Sequence, residues 1–211
     1  MNAPTLSYSG ELKRKAIHLL ALAMPIGLLI LGRPTALPML VALALFAVIA
    51  DLARQRFDGV HRLVTRTFGS LMRPDELPPL GGPLVLNGAT WMCISATLCA
   101  FLYAEPIAAA ALIMVMLGDG AAAIIGRRFG NHHFPGSDKS WEGSIALFLT
   151  AVLASLPLAL PGVLNWMGHV PLSVLQIGVG ALVASAVEAL PIPINDNVRV
   201  PVLAGLAMSF V

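Results

Sequence analysis

The chain has 211 residues, of which 57% are hydrophobic and 11% are charged, and its formal net charge is +2. Because an ordinary soluble domain carries about 25% charged residues, this composition favours a membrane protein and excludes a disordered tail. It also argues against nucleic-acid binding, because the chain lacks a large basic surface and only 6% of its residues are aromatic. The length predicts a single domain over residues 1–211.

Uncharged apolar runs follow one another along the chain. A helix needs about 20 apolar residues to cross the hydrocarbon core of a bilayer. The runs predict membrane spans at 16–32, 34–50, 83–104 and 106–126, two more within 143–187, and a short last one at 198–211. The two spans within the longest run are expected to separate between Pro161 and Pro171. We therefore predict an all-α bundle of about seven transmembrane helices.

Between the second and third spans, residues 54–73 predict an amphipathic helix. Apolar side chains recur there at helical spacing, and arginines occupy the other positions. The apolar set is Phe57, Val60, Val64, Phe68 and Leu71, and the basic set is Arg54, Arg62, Arg66 and Arg73. This pattern is typical of a helix that lies on an anionic membrane surface. A solvated loop helix is the alternative.

The distribution of charge predicts the orientation in the membrane. If the N-terminus is cytoplasmic, twelve of the thirteen Lys and Arg residues fall in inner segments, and only Arg33 lies outside. Ten of the eleven acids lie on the same side, with Glu105 as the exception. We therefore expect an integral protein of the cytoplasmic membrane with one polar, cytoplasmic face.

One acid lies inside a predicted span, where ionisable residues are costly and usually functional. This residue, Asp119, is flanked by Gly118 and Gly120. Small residues recur every four positions in the same helix, at Gly118, Ala122, Gly126 and Gly130. Such a stripe is most often a surface for helix packing.

The segment after this helix adds groups that suit an anion. Arg127 and Arg128 close the helix, and Lys139, Ser140 and Glu142 begin the next one. A helix N-terminus with a lysine and a hydroxyl nearby can bind an anion. An acid for a divalent metal, a lysine for phosphate oxygens and a second acid are the parts that phosphoryl transfer requires. Neither a Walker motif nor the kinase HRD motif is present.

These residues resemble the CTP-dependent lipid kinases, a family that comprises dolichol kinase, phytol kinase and the CTP-using diacylglycerol kinase. The family's nucleotide motif stands here as Asp119, Ala122, Gly126, Gly130 and then Lys139-Ser140-Trp141-Glu142-Gly143. Three further groups match: Arg14, Lys15 and His18; Arg73, Glu76 and Gly82; and Glu188, Asp196, Asn197 and Pro201. The segment KSWEGS, residues 139–144, is similar to the corresponding segment of the phytol kinase branch. Asp138 stands where dolichol kinases tend to have a second lysine.

The resemblance implies that CTP phosphorylates a membrane lipid alcohol, such as phytol, a prenol or a polyprenol, with Mg²⁺ as cofactor and CDP as product. It implies catalytic roles for His18, Asp119, Lys139, Glu142 and Glu188, with His18 or Glu188 as the base. It implies metal binding by Asp119, Glu142, Glu188 and Asp196. Nucleotide binding is implied for Gly118, Ala122, Gly126, Arg127, Arg128, Gly130, Lys139, Ser140, Gly143 and Asn197. Lipid-substrate binding is expected at Arg14, Lys15, Glu76 and Asn87.

Other functions use similar parts. A diacylglycerol kinase differs in its acceptor, and a cytidylyltransferase that makes a CDP-lipid would release pyrophosphate rather than CDP. An ion-coupled secondary transporter could use Asp119 and Glu188 as coupling acids, but the sequence has no internal repeat of the kind common in transporters. The expected partners are CTP, the lipid alcohol and the bilayer, and association of identical copies is left open.

Overall fold

Helices build the part of the chain that the structure, a computed structural model, describes: residues 19–69, 72, 76–135, 137 and 139–211. The helices are α1 (Ala23–Leu31), α2 (Arg33–Arg56), α3 (Asp58–Phe68), α4 (Gly88–Leu102), α5 (Glu105–Phe129), α6 (Trp141–Ser155), α7 (Pro161–Leu164), α8 (Val174–Ala189) and α9 (Asp196–Met208). No β-strand occurs among these residues. The predicted all-α class is confirmed for them.

Helix α5 forms the centre of the bundle. It contacts α1, α4, α6, α8 and α9, and its run of four alanines, Ala108 to Ala111, is fully buried. Such small side chains let neighbouring helices approach closely. Leu112 and Met114, which are also fully buried, fill the space beside the alanines.

The described residues contain three helical segments that are long and apolar enough to cross a membrane. These are Arg33–Arg56, Glu105–Phe129 and Trp141–Ala159, whereas Gly88–Leu102 and Val174–Ala189 are apolar but shorter. The predicted count of about seven spans is therefore not confirmed. Large apolar side chains such as Phe46, Leu153 and Leu182 are more than half exposed, as expected for helices that face lipid. Length, apolarity and exposure together indicate an integral membrane protein.

The prediction for the end of the second span is wrong. Helix α2 does not stop at residue 50 but continues to Arg56, and Asp51 and Arg54 are both buried. Charge does not end the helix, because the two residues pair with each other inside it. Arg54 therefore does not belong to the polar face of an amphipathic helix.

The amphipathic segment itself is shorter than predicted. Helix α3 covers Asp58–Phe68, and none of its residues is buried. Phe57, Leu63 and Phe68 are each more than half exposed. The predicted residues Leu71 and Arg73 lie outside the described residues.

The break predicted in the longest uncharged run is confirmed. Short 3₁₀ turns at Leu156–Ala159 and Asn165–Met167 flank α7, and the next long helix begins at Val174. Proline explains the break, because Pro157, Pro161 and Pro171 lack the backbone N–H that would continue a helix.

The polar residues gather at two ends of the bundle. At one end, Nη2 of Arg33 lies 4.0 Å from Oε2 of Glu105, so the two charges assigned to the outer side pair with each other. At the other end, the last turn of α5 and the last turn of α8 meet the first turns of α6 and α9. The second end holds the candidate site.

Candidate functional site

The centre of the site is the ammonium group of Lys139, which lies just before α6. Its Nζ contacts the carboxylate of Glu188, at the end of α8, and lies 3.4 Å from Oδ2 of Asp196, at the start of α9. Asp119, in α5, interacts electrostatically with both Lys139 and Glu188. The structure thus brings together four predicted site residues that span 78 positions of the sequence, from 119 to 196.

Burial and charge act in opposite directions on Lys139. Burial alone would lower the pKa of its ammonium group, but the Glu188 carboxylate, assisted by Asp196 and Asp119, more than compensates, and the pKa lies above its usual value. Lys139 therefore remains positively charged throughout the physiological pH range. Glu188, by contrast, is only 3% exposed, so Lys139 is the partner that makes its burial tolerable.

Close packing of α5 against α6 holds Lys139 in place. Ser140 caps α6, since its Oγ accepts from the N–H of Gly143 over 3.1 Å. A Cβ added at Gly126 would lie 3.1 Å from this oxygen, and one added at Gly130 would lie 2.7 Å from it. Glycine is required at this contact because a larger side chain would push the start of α6 away from α5.

The same stripe packs along the rest of the two helices. A Cβ at Gly118 would lie 2.9 Å from the side chain of Leu147, and Ala122 is also buried. These contacts are those expected of a small-residue packing surface. Nucleotide binding by Gly118, Ala122, Gly126, Gly130, Ser140 and Gly143 stays a prediction.

Glu142 contacts the loop that precedes α6. Its carboxylate lies 2.7 Å from Nδ1 of His132 and accepts from the N–H of Asn131 over 3.2 Å. Phe134, in the same loop, packs on Trp141, the first residue of α6, with 4.3 Å between the ring centroids. Glu142 therefore fixes the loop that carries Lys139, and its assignment as a metal ligand stays a prediction. Arg127 and Arg128 are exposed at the end of α5.

Helix α9 contributes a residue that the sequence did not single out. Arg199 donates through Nε to Oδ1 of Asp196 over 2.7 Å, and Nη2 donates to the same oxygen. Its side chain is 6% exposed. The spacing of three residues between an acid and an arginine was the only signal in the sequence. In the same helix, Asn197 donates from Nδ2 to the carbonyl of Gly88 over 3.1 Å, which joins α9 to the start of α4.

A second buried polar cluster lies between the end of α2 and the start of α4. Asp51 Oδ1 accepts from Arg54 over 2.6 Å and from Asn87 Nδ2 over 2.8 Å, and Asp51 Oδ2 accepts from the hydroxyl of Thr90 over 2.6 Å. Gln55 pairs with both backbone groups of Val85. Asp51, Arg54 and Gln55 were not predicted as site residues.

Two predicted substrate residues belong to this second cluster. Asn87 caps α4 by accepting from the N–H of Thr90 over 3.0 Å, and Glu76 accepts from the N–H of Gly88 over 3.0 Å. Both residues shape the segment that Asn197 contacts. Their role in binding a lipid substrate stays a prediction, while Arg14, Lys15 and His18 lie outside the described residues.

No three His, Cys, Asp or Glu side chains of the described residues are grouped closely enough to hold a metal ion by themselves. Mg²⁺ usually takes only one or two protein carboxylates and completes its shell with water and substrate phosphates. Asp119, Glu188 and Asp196 supply carboxylate oxygens of this type around the cation of Lys139. The donor chemistry therefore fits a magnesium ion that binds together with a phosphate substrate.

Comparison with known proteins identifies lipid kinases that are similar to the chain. It is 34% identical to a probable phytol kinase of Glycine max over 163 residues, which are 72% of this chain and 49% of that protein. It is 29% identical to the CTP-dependent diacylglycerol kinase of Saccharomyces cerevisiae over 180 residues, which are 77% of this chain and 59% of that protein. These matches support the assignment of the chain to the CTP-dependent lipid kinases. The predicted resemblance is thus confirmed.

Other matches show how much of each protein the similarity covers. The chain spans less than half the length of the phytol kinases that it matches, for example 45% of a probable phytol kinase of Zea mays. An uncharacterized protein of Rickettsia prowazekii is 26% identical over 199 residues, which are 93% of this chain and 92% of that protein. No family model matches the sequence. No solved structure matches it either.

Proposed function

We propose that the chain transfers the γ-phosphoryl group of CTP to the hydroxyl group of a membrane lipid alcohol, giving the lipid monophosphate and CDP. The observation that supports this proposal best is the convergence of Asp119, Lys139, Glu188 and Asp196 at one end of an apolar bundle. The relatives named phytol kinase and CTP-dependent diacylglycerol kinase support the same reaction.

Lys139 is the residue that we assign to the β- and γ-phosphates. Phosphoryl transfer is catalysed mainly by positioning and by stabilising negative charge on the transferred group. Lys139 is charged, is fixed by two carboxylates and precedes a helix whose N-terminus favours anions. Arg127 and Arg128, exposed at the end of α5, can add positive charge beside the nucleotide.

The charge of the cluster supports a divalent cation in the reaction. By formal charge, Asp119, Glu188 and Asp196 contribute three negative charges and Lys139 and Arg199 two positive ones, which leaves these five residues with one formal negative charge. A polyphosphate would be repelled by this excess. When bound, Mg²⁺ would neutralise phosphate charge and bridge the phosphates to the protein. Asp119 and Asp196 are the residues that we expect to hold it, with Glu188 or Glu142 completing the shell.

The acceptor is expected to reach the site from the bilayer. The apolar surfaces of the long helices are exposed along their length, so an isoprenoid chain can lie against them while its hydroxyl group reaches the polar end. Phytol, a prenol or a polyprenol fits this arrangement. Glu188 or His18 accepts the hydroxyl proton. We expect this polar end on the cytoplasmic side, because twelve of the thirteen Lys and Arg residues fall in segments predicted to lie there.

The reaction can be tested with the purified chain in lipid nanodiscs. The protein is incubated with γ-labelled CTP, Mg²⁺ and a panel of phytol, shorter prenols, polyprenols and diacylglycerol. We expect label in a lipid monophosphate and an equal amount of CDP. The Asp119→Asn variant is expected to lose the transfer, and the exposed Arg66→Gln variant on α3 is the control that retains it.

Two outcomes would contradict the proposal. Release of pyrophosphate with a CDP-lipid product would identify a cytidylyltransferase instead. Ion flux into vesicles without any nucleotide turnover would identify a transporter. Labelled diacylglycerol phosphate without labelled prenols would assign the chain to the diacylglycerol branch of the same reaction.

A further inference from the structure

Arg199 is buried in α9, yet one of its nitrogens has no partner. The side chain is 6% exposed, and Nε and Nη2 both donate to Asp196. The third nitrogen, Nη1, is buried and makes no hydrogen bond within the described part of the chain. A buried donor of a charged group that lacks an acceptor costs free energy, so the position calls for an explanation.

Another buried arginine of the chain, Arg54, has an acceptor for each of its nitrogens. Arg54 has the same spacing to its acid, since it follows Asp51 by three residues. Its Nε donates to Asp51 over 2.6 Å, its Nη1 to the carbonyl of Glu76 over 2.9 Å and its Nη2 to the carbonyl of Val85 over 3.2 Å. All three nitrogens of Arg54 are therefore satisfied by the protein, whereas Arg199 keeps one donor free.

The position of Arg199 limits what the missing acceptor can be. Its guanidinium group is fixed on Oδ1 of Asp196, and Oδ2 of the same carboxylate lies 3.4 Å from Nζ of Lys139. The carboxylate of Asp196 therefore lies between the guanidinium group that carries the free donor and Lys139, which we assign to the phosphates. A guanidinium group can bind a carboxylate along one edge and an oxyanion with its remaining N–H groups.

We propose that Nη1 of Arg199 donates to a phosphate oxygen of the bound substrate while Nε and Nη2 hold Asp196 in place. This proposal deepens the proposed function and rests on it, because it assigns a phosphate contact within the same site. The phosphate belongs either to the nucleotide or to the lipid monophosphate. Arg199 then links substrate binding to the orientation of Asp196.

The test compares Arg199→Lys, Arg199→Gln and a matched control in the chain of 211 residues. The control is Arg62→Gln, because Arg62 also pairs with an aspartate of its own helix, Asp58, but its side chain is 75% exposed. Transfer from CTP to phytol, inhibition by CDP and by phytyl monophosphate, and thermal stabilisation by CTP, by pyrophosphate and by cytidine are measured with Mg²⁺ present.

We expect both Arg199 variants to lose about 10-fold or more in kcat/KM for CTP, which is the usual effect of a lost charged hydrogen bond. Stabilisation by CTP and pyrophosphate should fall, and that by cytidine, which has no phosphate, should not change. Lysine should not rescue the loss, since one ammonium group cannot bind Asp196 and a phosphate with the same geometry. Weaker inhibition by CDP alone assigns the contact to the nucleotide, and weaker inhibition by phytyl monophosphate alone assigns it to the lipid product.

Several results would overturn the inference. One is unchanged kinetics and unchanged stabilisation by phosphate ligands in both variants. Another is failure of both variants to fold, because Arg199 would then serve the fold as Arg54 does. If the wild-type chain transfers no phosphate from CTP, the proposed function fails, but stabilisation by pyrophosphate that depends on Arg199 would still support the phosphate contact.

Discussion

The two buried Asp–Arg pairs of this chain share a spacing but differ in their surroundings. In α2, Asp51 and Arg54 are 1% and 2% exposed, and backbone and side-chain groups of the segment before α4 satisfy both. In α9, Asp196 is 39% exposed and shared with Lys139, and Arg199 keeps an unpaired nitrogen. A closed network of this kind stabilises a fold, and an incomplete one at the end of several helices suits a ligand. The two motifs look alike in the sequence, but we infer that the first serves the fold and propose that the second serves ligand binding.

The largest effect is expected for the pair of Asp51 and Arg54, and it concerns stability. The Asp51→Ala substitution leaves the charge of Arg54 buried without its acid, and loss of one partner of a buried pair costs about 3–5 kcal/mol. The free energy of unfolding in mild detergent, followed by thermal or denaturant melting, should fall by this amount. An unchanged unfolding midpoint would show that the Asp51 network does not hold α2 to α4.

The next largest effect is expected in the cluster around Lys139, and it concerns catalysis. Lys139→Met removes the cation that we assign to the phosphates, and loss of one group that stabilises transition-state charge costs about 100- to 1000-fold in kcat. Transfer of label from γ-labelled CTP to phytol measures it. Arg66→Met, at an exposed position of α3, is the control and should retain wild-type activity. Comparable activity in both variants would contradict the assignment of Lys139.

A smaller effect is expected where the two regions meet. Asn197→Ala removes the hydrogen bond to the carbonyl of Gly88, and a neutral hydrogen bond contributes about 0.5–1.5 kcal/mol. Stability should fall by that amount, and activity should fall with it if the start of α4 positions α9. Asn165→Ala, at an exposed position in the turn after α7, is the matched control. A loss as large as that of Asp51→Ala would mean that the two regions form one network.

The smallest effect is expected in the exposed Asp–Arg pair of α3. Asp58 and Arg62 lie 2.8 Å apart but are 57% and 75% exposed, and such surface pairs contribute about 0–1 kcal/mol. Asp58→Ala should therefore change stability by less than about 0.5 kcal/mol. A larger loss in lipid nanodiscs than in detergent would instead indicate that the pair acts in contact with the membrane.

The sequence predicted the apolar helices, because hydrophobic runs are local properties, and its resemblance to the lipid kinases predicted the residues that meet around Lys139. It did not predict that Arg54 is buried. The amphipathic pattern after Asp51 placed Arg54 on a polar face, whereas carbonyl groups of Glu76 and Val85, 22 and 31 residues away, make its burial possible. Arg199 was missed for a similar reason. Its spacing to Asp196 is ordinary, and only the packing of α9 shows that one of its nitrogens is left without a partner.

The pairing of Arg54 with an acid of its own helix also bears on how the chain enters a membrane. An arginine at the centre of a membrane helix costs about 2.5–3.5 kcal/mol on insertion scales, and Arg54, in the last turn of α2, lies away from that centre. Asp51 lies one turn before Arg54, so the pair can form as soon as α2 is helical, before α4 or the segment around Val85 is in place. The charge of Arg54 is then compensated within α2 during insertion. The later hydrogen bonds to the carbonyls of Glu76 and Val85 replace the water molecules that Arg54 loses on burial.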